Sequence, residues 1–428
     1  MSQQQSVVAS SSIGNEPIHS VSPLESPRAL GGDNGSIATT PPKVLFLVEG
    51  NTDIRFVTGL SQISSLSIAV PARAYNESGL KHRIAASGVS LRVHELPSGR
   101  IRFQLSSLRY LIRHAREFDV ILCQEVLRGA LSGTLAGKMT NTPVISYMCI
   151  APVEYFRCRY ERRQSGWLKT AAGTAVIRTL MYVNGKLASR CVALGPYLIE
   201  IARRYCSRTV NGLYYGVNTS YYRPVSEVEK SQLRTKLDLP RDAFIILLSS
   251  RVSHEKDPET VLRAITIARS RGLPAVLLNL GGGYRDFLSM VRRLLGPEAV
   301  HWVMARPAVH PMAELAGYYQ AADCLAQASL SEGLGLSPLE ALACGVPTVC
   351  TAVGGLKANL EGYARLVPRC DPDAMAAELL WVSENMPAAR AQALAGRDFV
   401  MRAWSRERAF EELSGIIESV RRWPNFSK

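Results

Sequence analysis

The stretch SEGLGLSPLEALACGVP, residues 331–347, constrains the fold of this chain more than any other. Its two early glycines let backbone N–H groups approach a ligand closely. Ser337 is a typical helix N-cap, and a helix that begins there directs its unpaired N–H groups at the loop, which suits an anion. The same residues also fit a plain capping box from Ser337 to Glu340, with Glu332 as a solvated loop carboxylate. This stretch alone leaves both interpretations open.

Length and composition favour two domains. The chain has 428 residues, 47% of them apolar, which is enough for two ordinary hydrophobic cores. Nine cysteines show neither a C-x-x-C pair nor metal-ligand spacing, so they predict reduced thiols and no metal site. The Ser- and Gln-rich start is not typical of a secretory signal, and no apolar run is long enough to span a membrane. These features predict a cytoplasmic protein.

Positive charge is concentrated in the first half of the chain. The net charge is +14, and residues 51–250 alone carry 28 Lys or Arg against 13 Asp or Glu. This imbalance indicates an anionic partner. No nucleic-acid-binding motif is present, so nucleic acid is not expected. Anionic lipid headgroups or a phosphorylated acceptor fit the charge, and so does a soluble surface without a partner.

Apolar runs alternate with helical patterns, which is the α/β signature. Residues 1–40 are rich in Ser, Gly and Asn and predict a disordered tail. The run from Lys43 to Val48 predicts the first strand of a doubly wound sheet. The turn at Gly50, Asn51 and Thr52 would then face the ligand crevice at the end of that strand, or be an ordinary βα turn.

Two cations follow a strand in the second half. The strand predicted over 244–248 is followed by Arg251 and Lys256. A loop at a strand end can bring both over a crevice, where the Arg fork and the Lys point charge suit a diphosphate. Lys256 by itself would also fit a solvated surface. Further along, the strand 348–351 is followed by a predicted loop over 353–357.

Residues 155–163 interleave aromatic side chains with arginines. Such a segment could lie on a membrane surface, line an acceptor groove, or form a solvated helix with one packed aromatic face. The sequence leaves these three interpretations open.

Residues 332–347 resemble the E-x7-E signature of glycosyltransferase family 4. Residues 216–224 resemble the family's segment between its domains, and Arg251 with Lys256 resembles its G-R-L-x-x-x-K-G motif. The resemblance implies the GT-B fold, in which two Rossmann-like, doubly wound α/β domains face a central cleft. It also implies retaining, metal-independent transfer from a nucleoside-diphosphate sugar, with no cofactor.

The resemblance also implies a division of the chain. A tail over 1–40 would precede an acceptor domain over 41–222 and a donor domain over 223–410. A last helix, over 411–428, would pack back on the acceptor domain.

Site residues are carried over by resemblance. Glu332, Arg251 and Lys256 would be catalytic, with Glu332 near the donor sugar, while Glu340 would bind the ribose. Gly50, Asn51 and Thr52 would lie on the acceptor side. The implied donor site consists of Arg251, Lys256, Arg306, Gly333, Leu334, Gly335, Leu336 and Glu340.

The chain departs from the family where a His commonly follows the strand ending at Tyr147. Met148 and Cys149 stand there instead. The implied function is transfer to an anionic or lipid-linked acceptor, or a polysaccharide, in cell-envelope, exopolysaccharide or glycolipid biosynthesis. The protein would be cytoplasmic, with peripheral contact at the inner face of an anionic membrane. Three alternatives share the fold: a nucleotide-sugar epimerase, a phosphorylase and a non-catalytic nucleotide-sugar-binding protein.

Overall fold

A computed structural model describes residues 40–161, 165–309 and 312–422. The predicted tail therefore lies outside the described residues except for Thr40, and so do Arg162, Arg163 and residues 423–428. The described chain forms two parallel sheets with helices on both faces. We call each sheet with its packed helices a lobe.

The first lobe begins with a short buried strand, because its apolar run has no polar interruption. Alternate side chains pack on opposite faces: Phe46 joins one buried cluster and Leu47 another. The sheet has seven strands, β1 (Lys43–Leu47), β2 (Ser65–Pro71), β3 (Arg92–Leu96), β4 (Val120–Cys123), β5 (Val144–Met148), β6 (Arg190–Leu194) and β7 (Thr209–Gly212).

Eight helices connect these strands. Asp53 caps the first of them, and its carboxylate accepts a hydrogen bond from the Arg55 amide. They are α1 (Ile54–Ile63), α2 (Ala72–Glu77), α3 (Leu80–Ala86), α4 (Arg100–His114), α5 (Arg128–Thr140), α6 (Pro152–Glu161), α7 (Trp167–Leu187) and α8 (Gly195–Arg203). A 3₁₀ turn over Ala115–Glu117 follows α4.

The second lobe has six strands and a separate buried cluster of its own. The strands are β8 (Phe244–Ser249), β9 (Ala275–Leu280), β10 (Val303–Arg306), β11 (Cys324–Gln327), β12 (Thr348–Thr351) and β13 (Arg365–Val367). The later helices are α9 (Glu227–Lys236), α10 (Pro258–Ser270), α11 (Tyr284–Leu295), α12 (Met312–Ala321), α13 (Leu336–Ala343), α14 (Gly354–Leu360), α15 (Pro372–Glu384), α16 (Met386–Ala403) and α17 (Arg406–Arg421). A 3₁₀ turn over Pro297–His301 precedes β10.

Both sheets have the same winding. The first has the order β3-β2-β1-β4-β5-β6-β7, and the second has the order β10-β9-β8-β11-β12-β13. Strand order therefore reverses between β1 and β4 and again between β8 and β11. In open parallel sheets, ligands bind outside the carboxyl ends of the strands at such a reversal. The predicted pair of doubly wound domains is confirmed.

The chain crosses between the lobes twice. Residues 213–226 lead from β7 to α9, and residues 404–405 lead from α16 to α17. The two crossings are hydrogen-bonded, since the Val217 amide donates to the Trp404 carbonyl at 2.7 Å and the Arg406 amide donates to the Val217 carbonyl at 3.0 Å. α17 then packs on α1 in the first lobe. The limits predicted for the individual domains remain predictions.

Two local predictions were wrong. α13 begins at Leu336, two residues before its expected first residue, because Gly335 takes the capping position with φ of 86°. The expected loop over 353–357 contains the start of a helix, α14. Helix α9, which follows the first crossing, begins at a capping box formed by Ser226 and Glu229.

Candidate functional site

The loops after β8 and β11 meet at the strand-order reversal of the second sheet. Lys256 follows β8 and Glu332 follows β11, and the Lys256 ammonium forms an ion pair with the Glu332 carboxylate. The same carboxylate accepts hydrogen bonds from the Gln327 amide at 2.8 Å and the Ser329 hydroxyl at 3.3 Å. Because three donors converge on it, Glu332 is held in one orientation.

Arg251 lies on the same loop as Lys256 but is more exposed, with 62% of its side chain accessible. Its guanidinium donates to the buried Glu255 carboxylate at 3.0 Å. Burial raises the pKa of Glu255, but the hydrogen bond from Ser253 and the charge of Arg251 bring it below its ordinary value. An ionised Glu255 therefore fixes one side of the guanidinium while its other donors remain available to solvent or a ligand.

Helix α13 directs its first turn at a small cavity. Lys256, Glu332 and the loop residues Leu334, Gly335 and Leu336 line this cavity, whose volume is about 200 Å³. The first amides of a helix have no partner within it and carry partial positive charge. The structure thus brings four of the eight predicted donor residues around one space: Lys256, Leu334, Gly335 and Leu336.

Gly333 lies where the two lobes touch. A Cβ atom at this position would be 2.3 Å from the Cys149 carbonyl oxygen, so no larger residue fits without movement. Gly354 and Gly355, at the start of α14, pack against the other side of the loop that contains Gly333. The Gly355 amide donates to the Glu332 carbonyl at 2.9 Å. This packing explains why glycines recur in both loops.

A larger cavity of about 920 Å³ lies mainly against the first lobe. Gly50 and Asn51 line it, together with Arg251 from the second lobe. Thr52 lies beneath and is 5% exposed. Cys149 lines both cavities, so they adjoin at that residue.

Two carboxyl groups lie together in the large cavity. Glu49 forms an ion pair with Arg128, and Glu125 accepts a hydrogen bond from the Gly129 amide at 2.6 Å. Burial, together with the neighbouring charge of Glu49, raises the pKa of Glu125 to about 7, although the Gly129 amide lowers it. A carboxyl group of this kind exchanges a proton near neutral pH.

Met148 and Cys149 stand where the resembled family commonly has a His. Burial raises the pKa of the Cys149 thiol to about 12. The thiol is therefore neutral near pH 7 and does not serve there as a base.

Glu340 does not line either cavity. Its carboxylate is 4% exposed and accepts hydrogen bonds from Arg55 of the first lobe at 2.6 Å and from the Tyr319 hydroxyl at 2.8 Å. The alternative interpretation of Ser337 and Glu340 as a capping box is wrong, because the Ser337 hydroxyl donates to the Ser249 carbonyl instead. Contact between Glu340 and a ribose remains a prediction.

Arg306 is not brought together with the other donor residues. Its guanidinium donates to the Tyr318 hydroxyl at 3.2 Å and to the Asp238 carbonyl at 3.1 Å, and it lines neither cavity. Its carbonyl accepts a hydrogen bond from the Gly281 amide.

Sequence reasoning missed five residues that shape the site: Gln327, Ser329, Glu255, Arg55 and Glu125. Gln327 ends β11 and could have been found as a polar residue at the end of an apolar strand. Arg55 gave no such signal, because its partner Glu340 is 285 positions away. Among the described residues, no group of three or more His, Cys, Asp or Glu is arranged to hold a metal ion. Over the same residues, no helix is both long and apolar enough to cross a bilayer.

Comparison with solved structures gives the class of fold. Alr3699/HepE from Anabaena, in complex with UDP-glucose, aligns with a TM-score of 0.70 at 16% identity over 88% of this chain and all of the other. Sucrose-phosphate synthase from Thermosynechococcus elongatus aligns with a TM-score of 0.71 at 18% identity over 89% and 99% of the two chains. WaaG, a glycosyltransferase involved in lipopolysaccharide biosynthesis, aligns with a TM-score of 0.65 at 13% identity over 87% of this chain and 99% of the other. The GT-B fold is confirmed.

Sequence comparison finds a matching family model and relatives with named activities. Residues 229–399 match the family model described as glycosyl transferases group 1. D-inositol 3-phosphate glycosyltransferase of Thermobispora bispora is 29% identical over 272 residues, which are 61% of each protein. D-inositol 3-phosphate glycosyltransferase 1 of Catenulispora acidiphila is 34% identical over 259 residues, or 58% of this chain and 59% of that protein. The matches thus span about three fifths of these curated relatives.

Proposed function

We propose that this protein is a glycosyltransferase that moves a sugar from a nucleoside-diphosphate sugar to an acceptor. The observation that carries the proposal is the convergence of Lys256, Glu332 and the start of α13 on one space at the strand-order reversal of the second sheet. The group 1 match over 229–399 and the UDP-glucose held by a protein of the same fold support it.

In this proposal the donor diphosphate lies over the first turn of α13. Lys256, Arg251 and the amides of residues 333–336 neutralise the charge that develops on it as the bond to the anomeric carbon breaks. The electron pair stays on the diphosphate and the acceptor oxygen bonds to the carbon. These cations and amides would do without a metal ion what a divalent cation does in other enzymes.

Glu332 faces the same space and would stabilise positive charge on the sugar ring. Retention of the anomeric configuration, membership of family 4 and ribose binding by Glu340 extend the proposal by resemblance. Ribose binding further requires Glu340 to exchange Arg55 for the ligand, because Arg55 holds its carboxylate.

The large cavity of the first lobe would receive the acceptor. It is lined by Arg73, Arg100 and Arg128 as well as Arg251, which suits an anionic or lipid-linked group. Glu125 is placed there to take the proton of an acceptor hydroxyl. A cytoplasmic protein in peripheral contact with a membrane, acting in cell-envelope, exopolysaccharide or glycolipid synthesis, fits this acceptor class.

A panel of nucleoside-diphosphate sugars in a thermal-shift assay tests donor binding, because a ligand of the folded state raises the midpoint by mass action. We expect one sugar nucleotide to raise it, and Lys256→Ala to diminish the rise. Lys236→Ala, which removes an exposed lysine at the end of α9, is the control and should leave the rise unchanged. No rise with any donor of the panel would contradict the proposal.

Glu332→Ala tests the chemistry. We expect it to lower the release of nucleoside diphosphate by about 10²-fold or more while the donor still raises the thermal midpoint. Unchanged release would remove Glu332 from the reaction. Product analysis of a labelled donor without acceptor distinguishes an epimerase, and added phosphate distinguishes a phosphorylase. Donor binding without release under any acceptor would identify a binding protein.

A further inference from the structure

One side of the first lobe is covered by three helices that contain no acidic residue. α4, α5 and α7 pack side by side in that order. They carry four, two and three Lys or Arg, respectively, and no Asp or Glu. α5 is largely covered by its two neighbours, so α4 and α7 supply most of the exposed surface.

α7 exposes an apolar stripe along its length. Leu168, Val176 and Tyr182 are 65%, 58% and 54% exposed. At 3.6 residues per turn, these three positions fall within about 120° of one helix face. Lys169 and Arg178 fall on the two flanks of that stripe.

α4 repeats this arrangement. Ile101, Leu105 and Ile112 are 75%, 65% and 42% exposed, and their spacing places them within about 40° of one another around the helix. Arg102 and Arg109 lie beside the stripe and are exposed. The two helices on either side of α5 thus present large apolar side chains to solvent, each bordered by cations.

The cations beside the two stripes stand apart from carboxylates in the part of the chain that the structure describes. Among the described residues, no ion pair involves Arg102, Arg109, Lys169 or Arg178. An exposed apolar stripe bordered by cations is typical of helices that lie in a membrane interface, where apolar groups enter the acyl region and cations contact phosphates. A neutral or cationic partner would leave this charge unmatched.

The same face lies next to the cleft. α4 and α7 run back along the sheet to the strands that follow them, β4 and β6, so both helices begin at the edge where parallel strands end. Arg100 and Phe103 of α4 line the large cavity. Ile101 at the start of α4 and Trp167 at the start of α7 are therefore at the cleft side of the lobe, 75% and 67% exposed.

We propose that the exposed side chains of α4 and α7, here called the α4–α7 face, dock on an anionic lipid bilayer. The docking places the mouth of the large cavity beside the lipid headgroups. The proposal does not rest on the transfer reaction, because binding to vesicles is measured without donor or acceptor.

Sedimentation of the full chain with phosphatidylglycerol vesicles and with phosphatidylcholine vesicles tests the charge requirement. We expect binding to the anionic vesicles to be at least about tenfold tighter and to weaken as salt increases. Equal binding to both vesicles, or none to either, would overturn the proposal.

Charge removal locates the contact. The triple variant Arg102→Gln, Lys169→Gln, Arg178→Gln should weaken binding to the anionic vesicles by about tenfold or more. The matched control is Arg285→Gln, Arg292→Gln, Arg293→Gln, which removes three exposed cations from α11 of the second lobe. We expect less than a twofold effect there, and an equal loss in both variants would overturn the proposal.

Trp167 reports directly on insertion. Its fluorescence should be quenched by brominated phosphatidylglycerol in the vesicles, and Trp167→Phe should abolish most of that quenching. The double variant Ile101→Ser, Leu168→Ser changes only exposed positions. Its binding to the anionic vesicles at high salt should be weaker than that of the unmodified protein. If the unmodified protein forms a concentration-dependent dimer, this variant is monomeric, and neither of the two binds vesicles, then the face is a protein interface and the proposal is wrong.

Discussion

Glu125 illustrates how one buried group connects the cleft to the stability of the whole fold. Its carboxyl lies beside Glu49 in the large cavity, and its pKa is raised to about 7 from an ordinary value of 4.5. The folded protein thus binds this proton more tightly than the unfolded chain. Between pH 4.5 and about 7, the free energy of unfolding must fall as the pH rises, by about 3 kcal/mol from this group.

We expect Glu125→Gln to remove that fall. Relative to the unmodified protein, the variant should gain about 2–3 kcal/mol in the free energy of unfolding between pH 5 and pH 8. Urea denaturation at the two pH values measures this difference. Glu200→Gln, at an exposed carboxylate paired with Arg204, is the control; it retains Glu125 and should therefore keep the same fall in the free energy of unfolding as the unmodified protein. A gain for Glu125→Gln that is the same at both pH values would contradict the assigned pKa.

For single residues, a place in the site could be predicted from the sequence when the residue follows a strand. Lys256 and Glu332 are 76 positions apart, yet the family resemblance implied that they share a site, and each follows a strand of one sheet. The Arg55–Glu340 pair joins helices of different lobes, and no strand rule relates such positions. Glu125 was missed because its raised pKa depends on burial beside Glu49, which periodicity does not reveal.

At the scale of elements, the packing of α17 on α1 depends on one small residue. The Phe410 ring lies over Gly59, where an added Cβ atom would be 1.8 Å from the ring. Phe410 is 5% exposed and also lies near Phe56 in the core of the first lobe. The contact joins α17 to α1, the first helix of the first lobe.

Gly59→Ala should therefore destabilise the protein, although Ala favours a helix more than Gly does. We expect a loss of about 1–3 kcal/mol in the free energy of unfolding, since the Phe410 ring must move. Gly415→Ala on α17 is the matched control, because no atom lies within 4 Å of its added Cβ. It should gain up to about 1 kcal/mol. Chemical denaturation of both variants gives the comparison, and equal effects would show that the ring adapts freely.

Helix starts were predictable where a side chain caps the helix. Asp257 and Asp371, each followed by Pro, cap α10 and α15 as the sequence indicates. Glycines stand at the starts of α13 and α14 instead: Gly335 packs against Leu356, whereas Gly354 and Gly355 pack against the carbonyl groups of Glu332 and Gly333. Local propensity did not predict these two starts because contacts from a distant part of the chain determine them.

For the whole molecule, the Arg55–Glu340 ion pair is a contact between lobes. Arg55 is 21% exposed and also donates to Asp53, while Glu340 is 4% exposed. The Arg55 guanidinium further lies 4.2 Å from the ring centroid of Tyr215 in the first crossing segment. Removing one partner of such a pair leaves a buried charge without compensation.

Arg55→Met should lower the free energy of unfolding by about 3 kcal/mol, and by clearly less in a Glu340→Gln background. A double-mutant cycle measured by denaturation gives the coupling energy, which we expect to exceed about 1 kcal/mol. The exposed pair Arg73–Glu77 is the control, and its cycle with the same substitutions should give less than about 0.5 kcal/mol. Equal coupling in both cycles would show that the contact between the lobes is as weak as a surface pair.

The arrangement of two sheets was predictable because each lobe repeats the strand–helix alternation that fixes a parallel, right-handed winding. The second crossing of the chain was expected only from resemblance. Its hydrogen bonds join Val217 to Trp404 and Arg406, which lie almost two hundred positions further along. No periodic pattern connects such distant residues.

The two crossings have a mechanical consequence. A lobe attached through one segment can rotate about several axes. Two adjacent segments that are hydrogen-bonded to each other instead restrict the lobe to rotation about one hinge axis. Any widening of the space between Gly333 and Cys149 must then follow one arc. Closure about that axis would return Cys149 to its contact with the loop at Gly333.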